Sequence, residues 1–416
     1  MRITYLTQPY PPMVSGASIL AEQLAQSMAR RGHEVLVIAA SDTGRRYSFQ
    51  KDNLTVLRLE SFRNPARANQ RLLRFPGTAV MQELQDFKPD LIHAHEPFHS
   101  SLLGLKYARQ AHIPVLYTSH QLPWFIASYM PNLPGLRRSV ESMAWNYARW
   151  LAGQFTAILS PTKTISNILR EKTGLKSVTI PYGIDPQVFD PGLYPNAGIE
   201  VRQKYNIPAG ASIILHVGRL DTDKGVDKVI RAAAKVIGKS EAHLLVVGDG
   251  SQRSTLENLC KGLGLESRVH FTGFITNKFE LAKVYTAANV FVSASEIETQ
   301  GIVFLEAAAC GSPIAAVDAT CISEVVHHGE NGLLAEPGNI PALSHAIEKI
   351  LRRPDCARRM QINALQLAKG YDLESSFDKH EKYYQFALGL TRQKNSMPTS
   401  ARSAFKGKSL PLVKVK

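Results

Sequence analysis

The sequence predicts an α/β protein of two doubly wound parallel-sheet domains facing a cleft. Three observations carry that prediction. Short apolar, β-branched runs alternate with helical ones through the first half of the 416 residues, and the alternation restarts at Ile213. Between the two halves, residues 181–195 hold four prolines and two glycines, the composition of a linker. The length agrees, since one domain per roughly 150 residues gives two or three.

In the first half the strand-like runs are residues 3–7, 34–39, 55–59, 91–95, 115–119, 157–160 and 177–180, with helical stretches such as 19–30, ended by Gly32, between them. In the second half, strands at 213–217, 243–247, 269–271 and 290–293 alternate with helices at 226–237, 253–263 and 278–288, followed by a helix at 302–310. A further helix is expected over 373–390. The expected boundaries are 1–190 and 191–370 for the two domains, 371–391 for the last helix and 392–416 for a basic, disordered tail. In such folds ligands bind at the C-terminal ends of the strands.

Composition narrows the setting. No stretch approaches the roughly 20 apolar residues of a membrane span, and residues 1–8 lack the features of a signal peptide. Cys260, Cys310, Cys321 and Cys356 sit at no metal-ligand spacing and are too few for a disulfide framework, so a reducing cytoplasm is the simplest compartment. The net charge of +14 is uneven. Residues 1–190 carry 21 Lys and Arg against 13 Asp and Glu, residues 191–391 carry 21 against 22, and the tail carries 7 against none. A basic first half and tail favour an anionic partner, either nucleic acid or an acidic membrane surface.

The chemistry concentrates at residues 298–313. Ile302 to Cys310 are good helix formers, Thr299 is the expected N-cap, and Gly311 with Pro313 ends the helix. Glu298 then precedes the helix and Glu306 lies in its early turns. Between them the N–H groups of Gly301, Ile302 and Val303 make an anion site. Carboxylates do not bind phosphate, so their partners are hydroxyls, and a ligand with both phosphates and hydroxyls is a nucleotide sugar. Upstream, residues 218–225 put Arg219 and Lys224 in a loop between a strand and a helix, where Arg grips a diphosphate bidentately and Lys adds a point charge. Asp221 and Asp223 form a D-x-D, but they are embedded among the cations that would do a metal's work, so no metal is assigned. Residues 11–18 follow the first strand, and Gly16 lets backbone approach a phosphate or sugar. His120 stands at the end of another strand. His93, His95, Glu96 and His99 alternate along a strand end, so consecutive ligands are expected to face apart, and they too receive no metal.

These residues resemble the retaining nucleotide-sugar glycosyltransferases of the two-Rossmann architecture called GT-B, family 4 (group 1). The resemblance rests on the E-x(7)-E of Glu298 and Glu306, the Arg219–Lys224 pair, Gly16 and His120, and spans nearly the whole chain except the tail. It implies that residues 1–190 bind the acceptor and 191–370 the donor. It further implies that Arg219 and Lys224 neutralise the diphosphate, Glu298 contacts donor-sugar hydroxyls, Glu306 holds the ribose, and His120 sits beside the reacting centre. The base pocket would lie near Gly273, Phe274 and Ile275, and the helix near 373–390 would cross back onto the first domain. No tightly bound cofactor is implied; the donor expected first is UDP-glucose, and retention would come from front-face attack.

For the acceptor, Gln300 stands where many family members have phenylalanine, and Glu298 to Gly301 look most like bacterial diacylglycerol glucosyltransferases and related glycolipid synthases. Two basic segments suit an anionic membrane surface. Asn64 and Pro65 are expected to start a short helix with Arg67, Arg71 and Arg74 on one face, and the loop after His120 carries Trp124, Phe125, Tyr129 and Met130, followed by Arg137 and Arg138. Trp145, Tyr147 and Trp150 are assigned to core packing. The leading expectation is a cytoplasmic enzyme, peripheral on the inner face of the membrane, that glycosylates a lipid such as diacylglycerol. A cytosolic glycosyltransferase acting on a soluble sugar or phosphosugar is the alternative. A nucleic-acid-binding protein is motivated by charge alone; no reader helix or stacking motif stands out, so no nucleic-acid partner is assigned.

Overall fold

The computed structural model describes residues 1–13, 15–64, 70–74, 77–120, 122–124 and 134–396. The chain divides into two compact units, Met1–Pro181 with Ser376–Lys416, and Tyr182–Ser375. The boundary therefore falls at the start of the proline-rich stretch, and Tyr182 to Asp190 belong to the second unit.

The strands of the first unit are β1 (Arg2–Leu6), β2 (Glu34–Ala40), β3 (Tyr47–Lys51), β4 (Leu54–Leu59), β5 (Ser61–Arg63), β6 (Arg71–Leu73), β7 (Leu91–Ala94), β8 (Val115–Thr118), β9 (Ala157–Ser160) and β10 (Val178–Thr179). Eight form one sheet in the order β10-β9-β8-β7-β1-β2-β4-β3. All its pairs are parallel except the edge pair β3–β4. Helices cover a parallel sheet on both faces, so its strands are apolar on both: Val35 to Ala40 are all buried. Strand order reverses between β1 and β7, which places the loop after β1 and the segment from His95 side by side. Helix Gly16–Arg30 buries Leu20, Ala21, Leu24, Ala25 and Met28, the i, i+4, i+8 stripe of an amphipathic helix.

The largest fully buried side chain is Arg58 of β4. Its guanidinium donates to the carbonyls of Tyr10 (3.2 Å), Ala40 (3.0 Å) and Pro11, and lies over the Tyr10 ring at 5.1 Å. The loop between β1 and Gly16 is thereby tied to the sheet by a cation whose charge is spread over backbone acceptors.

The second unit holds β11 (Ile213–Val217), β12 (His243–Val247), β13 (Val269–Gly273), β14 (Val290–Ser293), β15 (Ile314–Val317) and β16 (Gly332–Ala335). They make an all-parallel sheet in the order β13-β12-β11-β14-β15-β16, reversing between β11 and β14. Its core is one cluster spanning both faces, with Ile213 to Leu215, Leu244 to Val246 and Val290 to Val292 all fully buried.

The last helix, Leu373–Ser396, belongs to the first unit from Ser376 onward. Arg31 bridges to Asp378 (2.5 Å) and Glu381 (2.9 Å), and the Tyr384 hydroxyl lies 2.6 Å from His93 Nδ1. The helix runs through residues 392–396, which were expected to begin a disordered tail; the remainder of that tail lies outside the described residues.

Two other expectations fail. Arg71 sits not on a short helix but on β6, paired antiparallel with β5, and its guanidinium donates to Ser61 Oγ (2.8 Å) and Ser61 O (3.0 Å). Arg74 follows that strand, so no helix face gathers it with Arg71; Arg67 and Phe125, like Tyr129 and Met130, lie outside the described residues. Tyr147 and Trp150 are 41% and 54% exposed, and only Trp145 of that trio is buried. Trp124 is partly buried, edge-on to Trp145 at 5.9 Å. Among the described residues no helix is long and apolar enough to cross a membrane.

Arg58→Met keeps much of the side chain's volume but orphans the three carbonyls. It is expected to destabilise the first unit by about 3 kcal/mol or more, measured as a lowered urea midpoint.

Candidate active site

Because β11 and β14 are hydrogen-bonded neighbours, the loops leaving their C-terminal ends adjoin. Their contact is an ion pair, Lys224 Nζ to Glu298 Oε1 at 2.6 Å, with both side chains largely buried. Gly225 permits the approach. Its φ of +60° is left-handed, and a Cβ there would lie 2.7 Å from the Ala294 carbonyl oxygen.

Arg219, five residues before Lys224, is gripped by both aspartates of its own loop, Asp221 and, at 2.8 Å, Asp223. Asp221 also accepts from the Ser251 N–H (3.1 Å) and hydroxyl (2.8 Å) after β12. The D-x-D thus anchors the arginine. Among the described residues no group of three or more His, Cys, Asp or Glu is arranged to hold a metal ion.

The helix after β14 is Ile302–Ala309, and its N-cap is Gly301, not Thr299. Gly301 has φ +71°, and an added Cβ would meet the Phe304 ring at 2.5 Å. A cap without a side chain satisfies no helix donor, so the anion-attracting end of the helix keeps its character. Gln300 is fully buried and forms a two-hydrogen-bond clamp on Tyr182, accepting from its N–H (2.7 Å) and donating to its C=O (3.0 Å). Its amide is therefore engaged with backbone 118 residues away, which ties down the loop carrying Glu298.

Glu306 accepts a hydrogen bond from the Tyr285 hydroxyl at 2.8 Å. Burial pushes its carboxyl up to about 7, while the Tyr285 hydrogen bond and Lys278 pull the other way. Gly273 (φ +74°) ends β13 and accepts from Gly248 N–H (3.0 Å); Phe274 beside it is 41% exposed, and Ile275 packs on the core. Next to the ion pair, His216 Nδ1 donates to the Val292 carbonyl (3.0 Å), and burial holds this imidazole at about 4, neutral.

In the first unit Gly16 opens its helix behind the N-cap Ser15, which forms a reciprocal capping box with Ser18. His120 is buried at the end of β8, its Nε2 2.8 Å from His95 Nδ1 and the two rings stacked at 5.1 Å. Burial lowers His120 to about 3 and holds His93 and His95 well below the ordinary range, so all three are neutral at pH 7. His93 and His95 do not face apart: His93 lies on β7 and His95 just past its end, two residues on in extended chain, and their ring centroids are 4.3 Å apart. His93 is held by Thr118 Oγ1 (2.7 Å) and Tyr384, whereas Glu96 turns away to accept from Gln8 N–H (2.8 Å) and Ser100 Oγ (2.7 Å). The sequence reading names His95 only within a cluster given no metal, and does not single out Tyr285, Ser251 or the clamp of Gln300. Only the i+2 spacing of His93 and His95 offered a signal.

A loop with two carboxylate-held cations at a switch point, an open helix N-terminus and the acids Glu298 and Glu306 thus gather at one edge of this sheet, and comparison with known proteins gives the family. Residues 199–367 match the model of glycosyl transferases group 1, and residues 14–188 match that of glycosyltransferase family 4. The chain is 30% identical to a GDP-mannose-dependent α-mannosyltransferase of Mycobacterium tuberculosis over 86% of this chain and 91% of that one. It is 27% identical to the α-monoglucosyldiacylglycerol synthase of Acholeplasma laidlawii over 90% and 94%. Among solved structures, sucrose-phosphate synthase from Thermosynechococcus elongatus superposes with a TM-score of 0.81 at 24% identity, covering 94% of this chain and 99% of that one. The chain belongs to the family 4, group 1 glycosyltransferases and has the GT-B fold.

Glu306 accepts charge-assisted hydrogen bonds only when ionised, so donor affinity is expected to weaken as pH falls through about 7. Tyr285→Phe removes a hydrogen bond that lowers that carboxyl, so the midpoint should move to higher pH. The check is the donor KM of both proteins across pH; superimposable profiles would contradict the pairing.

Proposed function

We propose that this glycosyltransferase is a retaining hexosyltransferase that moves glucose from UDP-glucose to a membrane lipid such as diacylglycerol, working as a peripheral protein on the cytoplasmic face of the membrane. The observation that carries the transferase reading is the Lys224–Glu298 pair beside the open N-terminus of helix Ile302–Ala309. The lipid reading is supported by the likeness to the diacylglycerol-modifying relative and by the basic first half of the chain.

In this reading the second unit holds the donor. Arg219, Lys224 and the N–H groups of Gly301, Ile302 and Val303 face the diphosphate, whose charge grows as the bond to the anomeric carbon breaks; fixed donors aimed at that charge lower the barrier. Glu298 accepts from sugar hydroxyls, Glu306 from the ribose, and Gly273, Phe274 and Ile275 flank the base. The first unit supplies Gly16 and His120. A histidine held at about 3 is no proton acceptor at pH 7, so His120 serves as a neutral hydrogen-bonding group, oriented by His95. The acceptor oxygen attacks the anomeric carbon from the side the diphosphate leaves, and its proton passes to a phosphate oxygen. No protein nucleophile is used.

A soluble sugar or phosphosugar acceptor is the second reading, and the mannosyl relative makes the donor sugar a second variable of the same test. Transfer from a panel of radiolabelled nucleotide sugars into chloroform-extractable product, with and without diacylglycerol, separates the two. Label in the organic phase only with diacylglycerol is the expected result; water-soluble product alone would move the acceptor to a soluble sugar. Lys224→Ala should lower kcat about 100-fold or more, and Glu306→Ala should raise the donor KM. Unchanged kinetics in both would contradict the site.

A further inference from the structure

Helix Pro134–Ala152 carries an apolar stripe on its outer face. Leu136, Met143, Tyr147 and Trp150 are 48%, 69%, 41% and 54% exposed. Their spacing of seven, four and three puts them within an arc of about 60°, along about 21 Å of helix. Trp145, on the opposite side, is the buried one. An amphipathic helix of a lone domain turns one apolar stripe to its core; this one has a second stripe turned to solvent.

The neighbouring helix, His99–Ala111, completes the surface. Trp150 lines one groove with Leu102, Leu105, Lys106 and Arg109, and the Tyr147 hydroxyl donates to the Pro97 carbonyl (2.8 Å) just before that helix. The Tyr147 and Trp150 rings lie 5.8 Å apart. Charge identifies the occupant: helix His99–Ala111 holds Lys106 and Arg109 on the groove and no acid, whereas Arg138 and Arg149 lie about 150° and 130° around their own helix from the middle of the stripe and take no part. Amphipathic aromatics, a thioether and a leucine along one helix face, with Lys106 and Arg109 beside Trp150, match the interface of a bilayer that contains anionic lipid.

We infer that the outer face of helix Pro134–Ala152, with the Trp150 groove, is the surface by which this enzyme docks on an anionic membrane. The inference rests on the lipid-acceptor reading and gives it a location in place of the Arg71 and Arg74 segment. Docking places Trp150 and Met143 among the upper acyl carbons and leaves Lys106 and Arg109 at the phosphates.

The test uses the full chain and sedimentation with vesicles of phosphatidylcholine, with or without phosphatidylglycerol. Wild type should bind the anionic vesicles, and brominated lipid should quench its fluorescence in a manner lost in Trp150→Phe. Met143→Ser with Trp150→Ser should weaken partitioning at least about tenfold, with thermal unfolding and UDP affinity unchanged. Lys106→Ser and Arg109→Ser should each cost about fivefold on anionic vesicles and nothing on neutral ones. If wild type binds and the Met143–Trp150 variant binds equally, this surface is wrong and the lipid reading stands. If wild type binds no vesicle, the lipid reading falls and this inference with it. A concentration-dependent dimer abolished by the same variant would assign the face to a second copy and overturn the proposal.

Discussion

The parallel pairing of β11 with β14 fixes what the donor-side residues can do. Lys224 and Glu298 are 74 residues apart in the chain, yet they meet at 2.6 Å because the strand order reverses between these two neighbours and both loops leave the same edge. Gly225 then brings the backbones close enough for the contact. A largely buried ion pair is weak evidence for stability, since desolvation offsets most of its Coulomb attraction. Its consequence is positional: each cation of the site is held by carboxylates, Arg219 by Asp221 and Asp223 and Lys224 by Glu298. In the proposed reading a diphosphate would meet charges whose places are already set, which is the condition for transition-state stabilisation without reorganisation.

The first unit solves a different problem. It buries His93, His95 and His120 in a ring-to-ring cluster whose lowered affinity for protons keeps them neutral. Neutral imidazoles can pack ring to ring without repelling one another, while Thr118 and Tyr384 fix His93 and a separate hydrogen bond joins His95 to His120. One of those partners, Tyr384, comes from the last helix, so the C-terminal part of the first unit holds His93 directly.

Much of this was legible in the sequence because its signals are local. Runs of consecutive buried residues such as Val35 to Ala40 mark parallel strands, and cations or acids immediately after such runs stand at the ligand-binding edge by topology alone. The alanine- and glycine-containing β15 and β16, four residues each, carry too little β-branched character to stand out. Thr299 looked like a cap because capping preference is local, whereas the buried clamp of Gln300 on Tyr182 places the cap at Gly301. Trp150 and Tyr147 were assigned to the core on hydrophobicity, which does not say which side of a helix is covered. Arg71 looked helical beside Arg67 and Arg74, yet its pairing with Ser61 across β5 and β6 is a tertiary fact. The same holds for Tyr285 on Glu306 and Ser251 on Asp221.

The central claim is that fixed cations at the β11–β14 edge recognise a diphosphate. Calorimetric titration of the enzyme with UDP and with uridine, repeated on Lys224→Ala, tests it most directly. The account predicts that UDP binds far more tightly than uridine and that most of the difference disappears in the variant. Equal affinity for UDP and uridine, or a preference for UDP untouched by Lys224→Ala, would contradict it.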